Sequence, residues 1–192
     1  MKEKCKNDGF TLIELLVVIS IISIFSSVVL VGLNSARQKA KNSFVTGSVS
    51  SYIVALKSYY TDKGYYPAPS DSGYPVDCLG KINYYCLGEW SNSYVDYPAF
   101  NEQLRPYVPS LSDPSPYYSG NDSSLRGAAF ECLQINYNNN TCLNGEVIWT
   151  VDSSNYKNTN CGNIGGAKIL ASVNLSSPDG FIAPQTVCSL TI

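Results

Sequence analysis

Gly9 followed by FTLIELLVVISIISIFSSVVLVGL, residues 10–33, is the stretch that decides how this chain is read. The run holds one ionisable residue, Glu14, near its front. As a helix it spans roughly 36 Å at about 1.5 Å per residue, enough to cross a hydrocarbon core of ~30 Å with some tilt. A cleaved secretory signal has a shorter apolar core, about 7–15 residues, with a small-residue cleavage site behind it. No such site follows Leu33, so the run reads as a retained helix. Glu14 is the anomaly. A carboxylate deep in a membrane helix costs about 2.5–3.5 kcal/mol on insertion scales. Either it sits at the interface and stays wet, or it pairs with a positive group on a neighbouring chain. Cutting before Phe10 creates such a group, an α-amine at a helix N-terminus, where the helix dipole is also positive. A buried pair of that kind fixes register more than it adds net stability.

The rest of the chain sets bounds on function. Its 192 residues fit one ordinary domain plus an anchor. Thirteen Lys and Arg against fifteen Asp and Glu give a net charge of −2, with no general pull toward nucleic acid. Histidine is absent, which removes His metal sites and His general bases. Lys2, Lys4 and Lys6 flank one end of the run and Arg37, Lys39 and Lys41 the other, so the positive-inside bias is weak. The cysteines decide orientation. Cys5 precedes the run, while Cys78, Cys86, Cys132, Cys142, Cys161 and Cys188 follow it. An even set of six in a loop-rich region reads as a disulfide framework on the non-cytoplasmic side, not as paired metal clips. Proximity in sequence favours Cys78 with Cys86, Cys132 with Cys142 and Cys161 with Cys188, among 15 possible pairings for six cysteines.

Gly9-Phe10-Thr11-Leu12-Ile13-Glu14 ahead of a long apolar run resembles the class III signal of type IV pilins and pseudopilins. The resemblance covers about 20 residues, and leader length, Gly, Phe, Glu and apolar run all agree with it. It implies that a prepilin peptidase cuts between Gly9 and Phe10, that Phe10 becomes N-methylated, and that Glu14 matches the N-terminus of an adjacent subunit during filament assembly. Many pilins carry a Pro in the second half of this helix. Here none occurs before Pro67, and only Gly32 with Ser20, Ser23, Ser26 and Ser27 can soften it.

The helical pattern continues through Val45, Val49, Tyr52, Ile53, Leu56, Tyr59 and Tyr60, an apolar stripe on an otherwise polar segment. One helix is therefore expected from about residue 10 to 61, apolar all round at first and then amphipathic. Asp62-Lys63-Gly64 is its stop, with Gly64 suited to the C-terminal cap. Residues 65–120 hold eight of the ten prolines and are expected to contain turns, a disulfide and a short helix near 99–107, started by Pro98 and ended by Pro106. The last third reads as strands over 128–135 and 146–151 around the turn tract NYNNNTCLNG (136–145), with 168–175 and 187–192 adding edges. The tracts SYYTDKGYYP (58–67) and LRPYVPSLSDP (104–114) resemble major pseudopilins, which bind calcium nearby. Asp113 and Asp122 are the oxygen donors that such a site would use here, although Asp, Ser and Gly also simply make turns.

The expected architecture is thus α+β and type IV pilin-like: a long N-terminal helix on a small antiparallel sheet in a loop-rich, disulfide-tied head. Its parts are a cleaved leader (1–9), a transmembrane or filament-core helix (10–33), an amphipathic continuation (34–62) and a globular head (63–192). The function it implies is a structural pilin subunit. That subunit is held in the inner membrane before assembly and passes through a peptidase and a pilus or secretion platform into a helical homo-oligomer at the cell surface. A type II secretion pseudopilin, forming a periplasmic pseudopilus, is the alternative within the family. A single-pass anchored protein whose Tyr-rich head binds sugar, a surface or DNA is the alternative of another class. No enzyme is expected: the sequence has no G-x-S-x-G elbow, no phosphate loop and no carboxylate motif above chance. No cofactor besides calcium comes into question. Sequons begin at Asn121, Asn139 and Asn174, and the abundance of Asn and Ser accounts for them.

Overall fold

The computed structural model describes residues 10–68, 76–80, 98–108, 127–152, 161–162, 164–176 and 182–192; the side chains at 28, 30–32, 34, 98, 152, 171–176 and 182–185 are excepted. The chain divides into two compact units, residues 1–39 and 40–192.

A single helix, α1 (Leu12–Lys63), runs through the boundary between the units. With no Pro inside it, nothing breaks the i to i−4 ladder. In the first unit three of its serines are satisfied internally: Ser20 and Ser23 donate to the Leu16 and Ile19 carbonyls at 2.8 and 2.7 Å, and Ser27 to the Ile24 carbonyl at 2.7 Å. Back-bonding of this kind lets a hydroxyl sit in apolar surroundings without an unsatisfied donor. The apolar side chains of this stretch, from Leu12 to Phe25, are exposed. Among the described residues no helix is long and apolar enough to cross a membrane; the side chains of residues 28 and 30–32, inside the run, and of 34, just after it, are not described.

In the second unit α1 becomes one-sided. Val45, Val49, Tyr52, Ile53, Leu56 and Tyr59 are buried, the stripe that the spacing predicts. Tyr60 departs from it at 41% exposed, because one residue on from Tyr59 turns the side chain about 100° around the axis. Its ring lies 4.7 Å from that of Tyr66. Gly64 ends the helix with φ +79°, its N–H donating to the Tyr60 carbonyl at 2.7 Å. This is the left-handed C-terminal cap, in which glycine avoids a Cβ clash.

The sheet is antiparallel throughout, built from β1 (Val76–Cys78), β2 (Ala128–Asn136), β3 (Thr141–Asp152), β4 (Lys168–Ser176) and β5 (Ile182–Thr191), in the order β1-β2-β3-β5-β4. The architecture is α+β and type IV pilin-like. Three details correct the sequence reading. The turn between β2 and β3 is only 137–140, because Thr141, Cys142 and Asn144 of the expected turn tract pair with Asn136, Ile135 and Gln134. Residues 187–192 are no edge: β5 lies between β3 and β4, and Thr186, Val187, Cys188 and Ser189 are all buried, as suits a strand covered on both faces. Pro106 does not simply end the short helix. Helix α2 (Pro98–Leu104) stops first, and Pro106 sits at the start of a 3-10 turn (Arg105–Tyr107), where its missing N–H would have had no partner.

The core joins the α1 stripe to Ala128, Phe130 and Cys132 of β2, Val147, Trp149 and Val151 of β3, Cys188 of β5, and Phe100 and Leu104 of α2. Register puts Phe130 beside Val147, and Trp149 between Ala128 and Cys188. Phe130 stacks on Phe100 with centroids 5.5 Å apart. Gly145 makes room for that ring, since a Cβ there would lie 2.3 Å from it. Disulfides Cys132–Cys142 and Cys161–Cys188 join the pairs expected from sequence proximity. Cys78 is also disulfide-bonded; Cys86, its expected partner, lies outside the described residues.

Candidate functional site

The start of α1 places Thr11 as its N-cap and Glu14 at the third helical position, the T-x-x-E spacing of a capping box. The geometry is reciprocal. The Thr11 backbone N–H and hydroxyl donate to Glu14 Oε2 at 2.9 and 2.7 Å, and the Glu14 N–H donates to Thr11 Oγ1 at 3.4 Å. Two of the orphan donors of the first turn are thereby satisfied, and the carboxylate sits where the helix dipole favours negative charge. Both residues are exposed, as is Phe10 at 78%. The charge is thus oriented from within its own chain and remains open to a second partner. The capping partner was legible in the sequence as a threonine three residues before a glutamate, yet the reading of Glu14 as an assembly charge passed over it.

At the other end of the helix, the TDKGYYP tract serves packing. Tyr107 donates from its hydroxyl to Asp62 Oδ2 at 2.6 Å, and Tyr59 to Gln103 Oε1 at 3.2 Å. The Tyr107 hydrogen bond, followed by Lys63 at 3.0 Å, holds the Asp62 carboxyl below its usual range. Edge-to-face contacts of Tyr59 with Tyr65 and Tyr107 complete the junction. These tyrosines therefore tie the end of α1 to the turn after α2.

Asn101, which the sequence did not flag, is a second tie. It is buried on α2, donates to the Cys78 carbonyl at 2.9 Å and accepts from the Gly80 N–H at 2.9 Å. One side chain thus satisfies both main-chain groups where β1 ends.

Residues 4–30 match the model of the prokaryotic N-terminal methylation motif. The type IV wide pilus major component PilA4 of Thermus thermophilus is 40% identical over 58 residues, covering 30% of this chain and 44% of that protein. The chain is type IV pilin-like. It spans less than half the length of that curated relative, and no solved structure matches it.

In this pilin-like chain Phe10 and Glu14 stand at the start of α1, whereas Gly9 lies outside the described residues. Of the calcium candidates, Asp113 and Asp122 also lie outside them; among the described residues no group of three acidic or sulfur-bearing side chains is placed to hold a metal ion.

Proposed function

We propose that this protein is a structural pilin subunit of a type IV pilus-like extracellular filament. One observation carries the reading: a single oriented carboxylate, Glu14, stands at the head of a helix whose surrounding apolar side chains, among the described residues, are all exposed. Apolar surface on that scale requires lipid or other copies of the same helix, and exposed patches of this size mark interaction sites. Before assembly the run lies in the inner membrane as a single-pass anchor. Prepilin peptidase removes residues 1–9 and the new Phe10 amine is methylated. The subunit then passes through the pilus platform into a helical homo-oligomer, where Glu14 faces the Phe10 amine of a neighbouring copy. The role is structural and not catalytic. The two described disulfides and the aromatic ties at the end of α1 suit a head exposed to shear, which favours a surface pilus over a periplasmic pseudopilus.

Shear fractions from cells carrying the wild type and Glu14→Ala test this. Sheared wild-type fibres should contain a subunit whose mass begins at methylated Phe10. The variant should be processed and folded, yet its filament yield should fall about 100-fold or more, as expected when a buried ion pair loses a partner at ~3–5 kcal/mol. Wild-type yield from Glu14→Ala, or a mature chain that keeps residues 1–9, would overturn the proposal. Fibres that appear only on overexpression would turn it toward the pseudopilin.

A further inference from the structure

The tip of the β2–β3 hairpin has a chemistry that neither the core nor the filament reading uses. From Cys132 to Gly145 the chain carries no charged residue, and five of its fourteen positions are Asn. Tyr137 opens the turn at 76% exposed, and Asn138, Asn139 and Asn140 beside it are exposed as well. A large exposed ring at a turn contributes nothing to burial, and Tyr137 makes no ring contact among the described residues.

The tip is also held in shape. The Cys132–Cys142 disulfide joins its two strands just below the turn. Asn136 Oδ1 accepts the Asn138 N–H at 3.1 Å, and Asn139 Oδ1 accepts the Thr141 hydroxyl at 3.2 Å. Asn140 takes the left-handed conformation at φ 49°, which Asn tolerates better than most residues. Two carboxamide oxygens are thus spent on fixing the turn. The NH2 groups of the same amides donate to nothing among the described residues.

We infer that this tip is a recognition surface for neutral carbohydrate. An aromatic face beside several carboxamides fits a pyranose ring, which offers a C–H face for stacking and hydroxyls for hydrogen bonding. Tyr and Asn are both enriched in antibody binding loops, where Tyr supplies a rigid amphipathic ring and Asn adaptable hydrogen bonds. The lack of any cation in this tract argues against phosphate, sulfate or nucleic acid as the partner. A turn fixed in advance also loses little side-chain freedom on binding. The inference does not rest on polymerisation, because the tip lies wholly within the unit 40–192.

The test uses the full-length protein in detergent, applied to immobilised chito-, cello- and galacto-oligosaccharides, with heparin as the anionic comparison. The wild type should bind at least one neutral series and not heparin. Tyr137→Ala should weaken that binding at least tenfold, with an unchanged thermal midpoint because the residue is exposed. Tyr137→Phe, which keeps the ring, should retain most of it. Binding to none of the neutral sugars, binding to heparin alone, or unchanged binding by Tyr137→Ala would each overturn the assignment.

Discussion

The two stretches of α1 obey the same backbone geometry and opposite rules of burial. Up to Lys39, within the first unit, every described apolar side chain is exposed; from Ala40 onward, one face vanishes into a core with Trp149 and Phe130, while the other is mostly polar, with Phe44, Val54 and Tyr60 left exposed on it. Helix propensity cannot be the difference, since β-branched and aromatic residues occur in both. What differs is where the stabilising partner comes from. The second stretch finds it in the sheet of the same chain, whereas the first, on the function proposed above, finds it in lipid or in other subunits. Stability of the head and competence for assembly should therefore be separable by mutation.

The largest effect expected from breaking this contrast comes from Leu56→Ala. Leu56 is fully buried, so the change should remove about 2–5 kcal/mol from unfolding of the head. Ile19→Ala, a truncation in the exposed stretch, should leave the same denaturation midpoint unmoved. Equal shifts for the two variants would mean that the first stretch shares in the head's core.

Asn101→Ala sharpens the comparison from within the head. It strips the Cys78 carbonyl and the Gly80 N–H of their partner, and leaving buried backbone groups unpaired costs about 1–3 kcal/mol. Faster amide exchange at Gly80 than at the centre of β3 is the signature to look for. If both positions respond alike, Asn101 supports the whole sheet and not the end of β1 in particular.

The smallest effect lies on the outer face of the sheet. Glu131 and Glu146 are directly opposite each other on β2 and β3, and burial, together with the Glu146 charge, raises the Glu131 pKa above the ordinary glutamate value. The folded state therefore holds this proton more tightly than the unfolded chain does. Stability from this group is present at acid pH and lost as pH rises through the raised value. Glu131→Gln should accordingly stabilise the head at pH 7, by up to about 1 kcal/mol on the scale of opposed cross-strand pairs, and make little difference near pH 4. Denaturant midpoints at the two pH values check this, and a variant less stable at pH 7 would reverse the sign.

Much of this molecule was legible from residue types. The stripe Val45 to Tyr59 gave the buried face, Gly64 gave the cap, and the alternation in 128–135 and 146–151 gave the two central paired strands. The departures have separate causes. β1 has three residues, too few to show a period, and β5 is buried at four successive positions, 186–189, so its pattern does not alternate there. Pro106 was read as a stop because proline ends helices, but a new 3-10 turn can begin where one N–H is dispensable. At the candidate site, Glu14 stood out through its charge among apolar neighbours. Its bond to Thr11 was overlooked although the spacing was visible.

Local chemistry written in the sequence, namely an apolar run with one carboxylate, six cysteines after it, and glycine and proline at their turns, determined that the chain is a long helix followed by a tied head. Tertiary structure alone decided which strand lies beside which, that Asn101 clamps the end of β1, and that Gly145 yields its space to the Phe130 ring. The reason is one of range. Periodicity and capping act over three or four residues and are present in any copy of the segment, whereas strand order and side-chain clamps join residues tens of positions apart and exist only once the core has closed around them.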